Sequence, residues 1–435
     1  MLFRHFISLR KLSTTTSLGR PRLSSDYKSK ELWDSRFNCK YLTDSQAIKA
    51  INSKIAAKDQ LDELEVDIFI NVSAPRTDEI AQLRESADIL KRFRRSPRAH
   101  LLIPSTQHGV CRLFLDSERL TSLVSMIEQR VDYGIFPDPI ILNLCFDAAL
   151  EQDNLSLASR LAAHIMLQED FGENFISDVF SLYSVAKYIE SKPDFQQWST
   201  PSISADPIFM PESSGDGKTM LETSLGDGDE EEEDQYIRIP FLRNPYNDQH
   251  FDLTNPRVIC GKTLSMLASQ FSSDMELVHQ LRLLGSVLQG EWNDSMTISE
   301  ECVQSNIKAG CTKELAKFYI ENLHGLPEPS VGDREALLVN IEKLNSAGEP
   351  ISAYADEKTN EFSSIEAKDL DCLRSDIIKW SERRDAIRKT ADEWAERQRI
   401  IEEIRKKKEE IKRKEQYLYF YDNLRKKTLG RLSYD

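Results

Sequence analysis

Through the middle of the chain, equivalent residues recur about 35 positions apart, and this period constrains the fold more tightly than any other feature. Cys111 and Cys145 are separated by 34 positions, while Leu120 and Leu155, Leu123 and Ala158, Ile127 and Ala162, and Ile140 and Phe175 are each separated by 35. Within each period, apolar residues fall at three- and four-residue steps. That spacing predicts paired helices over 107–116 and 118–131 and over 139–152 and 154–169, with a third unit opening over 174–190. A lone helical hairpin cannot bury its apolar faces, so units of this kind stack in series as a short α-solenoid. Helices of similar length whose spacing coincides by chance are the alternative that the residues leave open.

Composition points the same way. Only 16 glycines and 16 prolines in 435 residues are too few for the turns of a sandwich, barrel or propeller, so an all-α fold is expected. No apolar run approaches the ~18 residues of a membrane-spanning helix, and no membrane partner is expected. Seven scattered cysteines without a CxxC pair read as reduced thiols in the core or on the surface. A formal charge of −15 excludes a uniformly basic nucleic-acid binder and shifts attention to where the cations cluster.

Composition shifts divide the chain into six stretches. Residues 1–25 carry Arg4, Arg10, Lys11, Arg20 and Arg22, six serines or threonines between Ser8 and Ser17, and no acid before Asp26, the make-up of a mitochondrial transit peptide. The helical solenoid is expected over 26–192 and an acidic, disordered insertion over 193–236, where ten acids face the single Lys218 between Glu212 and Asp234. That run lacks the ligand spacing of a calcium loop. A second helical hairpin region follows over 237–325, with helices expected at 256–270 and 274–288 and a further helical piece at 299–323; 326–370 reads as a linker. Over 371–435 a long charged helix is expected, its coiled-coil-like face marked by Leu373, Trp380, Ile387, Trp394 and Ile401, then Ile404, Ile411 and Leu418. Arg384, Ala391 and Gln398 are poor knobs at the alternate positions, which favours a helix laid on another surface over a self-associating zipper.

Two cationic clusters are candidate RNA-binding sites. A helix expected over 77–95 ends in Lys91, Arg92, Arg94 and Arg95, with Arg98 close behind and Phe93 in their midst. The same charges also suit a helix C-terminus, which attracts cations without any ligand. The second cluster is Arg405, Lys406, Lys407, Lys408, Lys412, Arg413 and Lys414. It lies in a tail, 397–435, that holds 13 Lys or Arg against 7 Asp or Glu and is interleaved with Tyr417, Tyr419, Phe420 and Tyr421. Cations with nearby aromatics can hold phosphates and stack bases, although a solvated charged helix has the same composition.

No catalytic or cofactor motif is present. Gly261-Lys262-Thr263 has Pro256 where a phosphate loop needs its first glycine, and Gly217-Lys218-Thr219 has Glu212 there. No HExxH, GxSxG or GxGxxG occurs, and the seven histidines form no metal-ligand spacing. A non-enzyme with no cofactor and no metal is expected.

The string Val131-Asp132-Tyr133-Gly134-Ile135-Phe136-Pro137-Asp138, the later Met166-Leu167-Gln168-Glu169-Asp170-Phe171 and the knot Leu90 to Pro97 resemble the pentatricopeptide-like protein family numbered twenty-seven in the mitochondrial small ribosomal subunit. The likeness runs from about Trp33 to Leu288; beyond that only a charged C-terminal helix is shared. The resemblance implies a degenerate pentatricopeptide fold in the mitochondrial matrix that binds small-subunit rRNA and neighbouring ribosomal proteins, supports translation, and touches transfer RNA in some members. A free organellar RNA factor that activates or stabilises transcripts is the rival reading, and a coiled-coil scaffold without an RNA role is a third. The repeats are too few and irregular to carry over the one-base-per-unit code of long arrays.

Overall fold

A computed structural model of the chain describes residues 21–73, 79–193, 195, 208, 255–323, 331–345, 347 and 350–432. The leader up to residue 20 and nearly all of the acidic stretch lie outside the described residues. Every regular element among those described is helical, and the lone bridge pairs Lys308 with Asn345. The chain forms two units, one through Asp376 and one from Ile377 onward.

The first unit opens with short turns that bury Tyr27 and Trp33, followed by α1 (Ser45–Ala56) and α2 (Glu63–Val72). An Asp62–Glu65 capping box starts α2, each side chain reaching the other's backbone N–H. The basic knot ends α3 (Glu79–Arg94). The periodic part then runs as α4 (Pro104–Asp116), α5 (Leu120–Glu128), α6 (Pro139–Glu151), α7 (Leu155–Gln168) and α8 (Phe175–Glu190). Pro104 and Pro139 each open a helix, the position where proline's missing N–H costs nothing. Of the residues that define the period, Cys111, Cys145, Leu120, Leu123, Ala158, Ile127 and Ala162 are buried. Consecutive helices pack on one another, α4 on α5, α6 on α7 and α7 on α8, as the hairpin series requires.

The third hairpin is closed from far along the sequence. Both α7 and α8 pack against α9 (Pro256–Leu267), which pairs in turn with α10 (Met275–Gln289). The stretch after residue 192 therefore falls between two packed helices rather than between domains, and two of its described residues, Phe195 and Ile208, are buried. Phe195 sits edge-on to Tyr188, ring centroids 6.0 Å apart. Gly261, of the rejected phosphate-loop string, lies inside α9, where an added Cβ would come within 2.7 Å of the Gly285 carbonyl of α10. This glycine lets two helices approach closely.

Two expectations change. The further helical piece at 299–323 is two helices, α11 (Trp292–Gln304) and α12 (Thr312–Glu321), separated by a turn at Gly310. The expected linker over 326–370 holds α13 (Val331–Lys343) and α14 (Ile351–Lys358), which bury Leu337, Ile341, Ile351 and Ala355. These residues are buried because α13 lies on α11 and α12 and α14 lies on α8. The long helix α15 (Phe362–Leu432) begins earlier than expected, with Phe362 packed on Phe180 at 5.6 Å. Cys39, Cys111, Cys145, Cys260 and Cys302 are buried free thiols, and Cys311 and Cys372 are exposed ones.

Candidate nucleic-acid interface

The knot residues share one helix end but not one environment. Phe93 and Arg94 face inward and are buried, because α3 turns that side toward the one-turn helix Arg130–Tyr133. Arg94 lies against Gly134, and burial holds its guanidinium below the usual arginine value. It is therefore not available to a phosphate, which corrects the expectation for this residue. Lys91 pairs with Asp132 at 3.2 Å, Arg95 with the same carboxylate at 3.8 Å, and Arg98 with Glu63 at 3.4 Å. Exposed pairs of this kind contribute about 0–1 kcal/mol, little enough for a phosphate to replace the carboxylate. Arg92 is exposed and takes part in no ion pair among the described residues. Four of the five cations thus remain accessible.

Sequence reasoning missed the partners. Asp132 belongs to the string that carries the family resemblance, yet its spacing of 41 residues from Lys91 gives no local signal of pairing.

The second cluster lies on the part of α15 that belongs to the second unit. Side chains from 388 to 422 are all exposed. Arg405 sits near Glu402 and Glu409 at 3.8 and 3.6 Å, and Lys414 pairs with Glu410 at 2.8 Å. Lys406, Lys407, Lys408, Lys412 and Arg413 make no ion pair among the described residues. Between 402 and 415 seven cations stand among five glutamates, a local excess of positive charge in an acidic chain. Of the coiled-coil-like face, Leu373 is buried and Trp380 and Ile387 are half-buried, whereas Trp394, Ile401, Ile404, Ile411 and Leu418 are exposed, as are Tyr417, Tyr419, Phe420 and Tyr421.

No cluster of three or more potential metal ligands occurs among the described residues, and no helix there is long and apolar enough to cross a membrane. Asp138 is a structural carboxylate: it caps α6 through the Ile141 N–H at 2.8 Å and accepts from His108 at 2.7 Å, and although burial would raise its carboxyl, these two partners hold it low.

The architecture defines a class: an all-α protein of helical hairpins in series that carries two accessible cationic clusters and no recognisable reaction centre among its described residues. The family model for mitochondrial 28S ribosomal protein S27 matches residues 1–410, and the chain belongs to that family. It is accordingly a component of the mitochondrial small ribosomal subunit, located in the matrix.

Proposed function

We propose that this chain is a structural, non-enzymatic, RNA- and protein-binding component whose cations contact small-subunit rRNA, whose hairpins and exposed α15 face abut neighbouring ribosomal proteins, and which thereby supports mitochondrial translation. Transfer RNA presents the same phosphate chemistry and belongs to the same proposal. The observation that carries it is the run Lys406, Lys407, Lys408, Lys412 and Arg413, exposed and in no ion pair among the described residues, in a chain whose formal charge is −15. Such a concentration suits phosphate contacts, which position a protein on RNA without reading bases. The leader, 1–25, supplies a matrix address on the same reading.

Sedimentation of a matrix extract, with and without EDTA to part the subunits, tests the assignment. Comigration with the small subunit under both conditions is expected. A free species at the top of the gradient, bound to a few transcripts, would instead identify an organellar RNA factor.

A further inference from the structure

The knot at the end of α3 also walls a cavity of about 260 Å3 between the α1–α2 loop, α2 and α3. Its buried lining is apolar and aromatic, from Val66, Ile89 and Phe93, while its exposed lining brings Lys58, Arg92 and Arg95 against one carboxylate, Asp59. An occupant must therefore join a compact apolar or aromatic body to a negative charge. The space is below the ~300–1,000 Å3 of sites for drug-sized ligands. A single unpaired nucleotide matches both conditions, with a base to lie on the aromatic wall and a phosphate for the cations. Paired bases in a helix are stacked and closed to such a cavity, so the nucleotide belongs to a loop or bulge.

The backbone at the rim fixes where Lys58 stands. Lys58 adopts φ of 57°, and α1 closes over it through Lys58 N–H to the Ile55 carbonyl at 3.0 Å and Asp59 N–H to the Lys54 carbonyl at 2.9 Å. Glycine is the favoured residue in that left-handed position, so a lysine there is held against a backbone cost. What it supplies beyond glycine is a cation at the cavity mouth.

We infer that this cavity receives one unpaired nucleotide of a single-stranded RNA segment, the base against Phe93 and Ile89 and the phosphate among Lys58, Arg92 and Arg95. The inference rests on the RNA-binding reading above and names what the knot contacts. The test uses the full chain, a labelled single strand of about 12 nucleotides, and the same strand annealed to its complement. Lys58→Gly removes the cation while giving the left-handed position its favoured residue, so folding is retained; Phe93→Leu keeps apolar volume and removes the aromatic face. Each variant is expected to bind the single strand about tenfold more weakly and the duplex unchanged. Wild-type affinity of both variants for the single strand would overturn the cavity while leaving the wider RNA contact standing. Failure of the wild-type chain to bind either RNA would overturn both. Displacement of the single strand by free adenosine monophosphate, or by a polyglutamate peptide, at concentrations comparable to the RNA would overturn it in favour of a free nucleotide or an acidic protein segment.

Discussion

Gly134 makes a joint of the string that carries the family likeness. Its φ of 64° closes the Arg130–Tyr133 turn, and a Cβ there would meet Arg94 Nε at 2.9 Å. Gly134→Ala should therefore cost about 1–2 kcal/mol from the backbone alone, and more from displacing a buried guanidinium; a denaturant midpoint equal to that of the wild type would show that neither constraint operates. Downstream, Phe136 N–H donates to Gln107 Oε1 at 3.1 Å and Asp138 caps α6, so the string fixes one repeat against the next. Asp178 is a second residue with a measurable signature. It is 4% exposed, both oxygens accept from Gly172 N–H at 3.2 and 3.1 Å, and burial pushes its carboxyl up to about 7. An unfolded aspartate titrates near ~3.9. Between that value and 7 the folded chain retains a proton that the unfolded chain has released, so stability falls as pH rises through this window. Asp178→Asn keeps an acceptor for Gly172 and removes the titration. It should stabilise by about 1–3 kcal/mol at pH 8 and by almost nothing near pH 4; melting curves showing the same shift at both pH values would refute the assignment.

Between elements, the ends of helices are held by side chains distant in sequence. Arg257 is fully buried at the start of α9 and donates to the carbonyls of Tyr319 at 2.8 Å, Asn322 at 2.7 Å and Val287 at 3.2 Å, capping the C-terminal ends of α10 and α12 together. Burial pushes its guanidinium down to about 10, which leaves it charged at neutral pH. Lysine keeps the charge but not the planar fork, so Arg257→Lys should cost about 3 kcal/mol, read as a lowered urea midpoint; a loss under ~0.5 kcal/mol would mean that water can satisfy those carbonyls. A second tie joins the chain's beginning to α15: Tyr27 OH donates to Asp369 at 3.0 Å and accepts from Asn143 at 3.1 Å, and Asn174 donates to the same carboxylate at 3.0 Å. Such ties explain what the sequence concealed. The hairpins were legible because Leu120, Leu123 and Ile127 repeat their pattern one period later, and α10 because Leu277, Leu281, Leu284 and Leu288 form a stripe. The helices α13 and α14 were not: in α13 the unbroken run Ala336-Leu337-Leu338-Val339 marks no single face, and only packing buries Leu337 and Ile341 while leaving Val339 exposed. Similarly, Arg94 carries the same local signal as Arg92, and only packing shows that one faces the core and the other water.

For the whole molecule, the distribution of charge decides which surfaces can meet RNA. A chain at −15 is repelled by polyanions on average, so association depends on local runs of cations whose neighbours do not neutralise them. Such a contact releases counterions, and each phosphate neutralised steepens the fall of affinity with salt by roughly 0.7–0.9 in the logarithmic slope. Replacing Lys406, Lys407, Lys408, Lys412, Arg413 and Lys414 by Gln removes six charges, while glutamine's helix propensity, close to that of lysine and arginine, preserves α15. The variant should retain its helical circular dichroism, bind the small subunit more weakly at low salt, and lose affinity less steeply between about 50 and 200 mM salt than the wild type does. Because Trp394, Ile401, Ile404 and Ile411 are untouched, an apolar seam docked on a protein partner would keep the variant bound. Equal retention of both proteins at every salt concentration would therefore assign α15 to protein–protein scaffolding and leave the knot at α3 as the RNA contact.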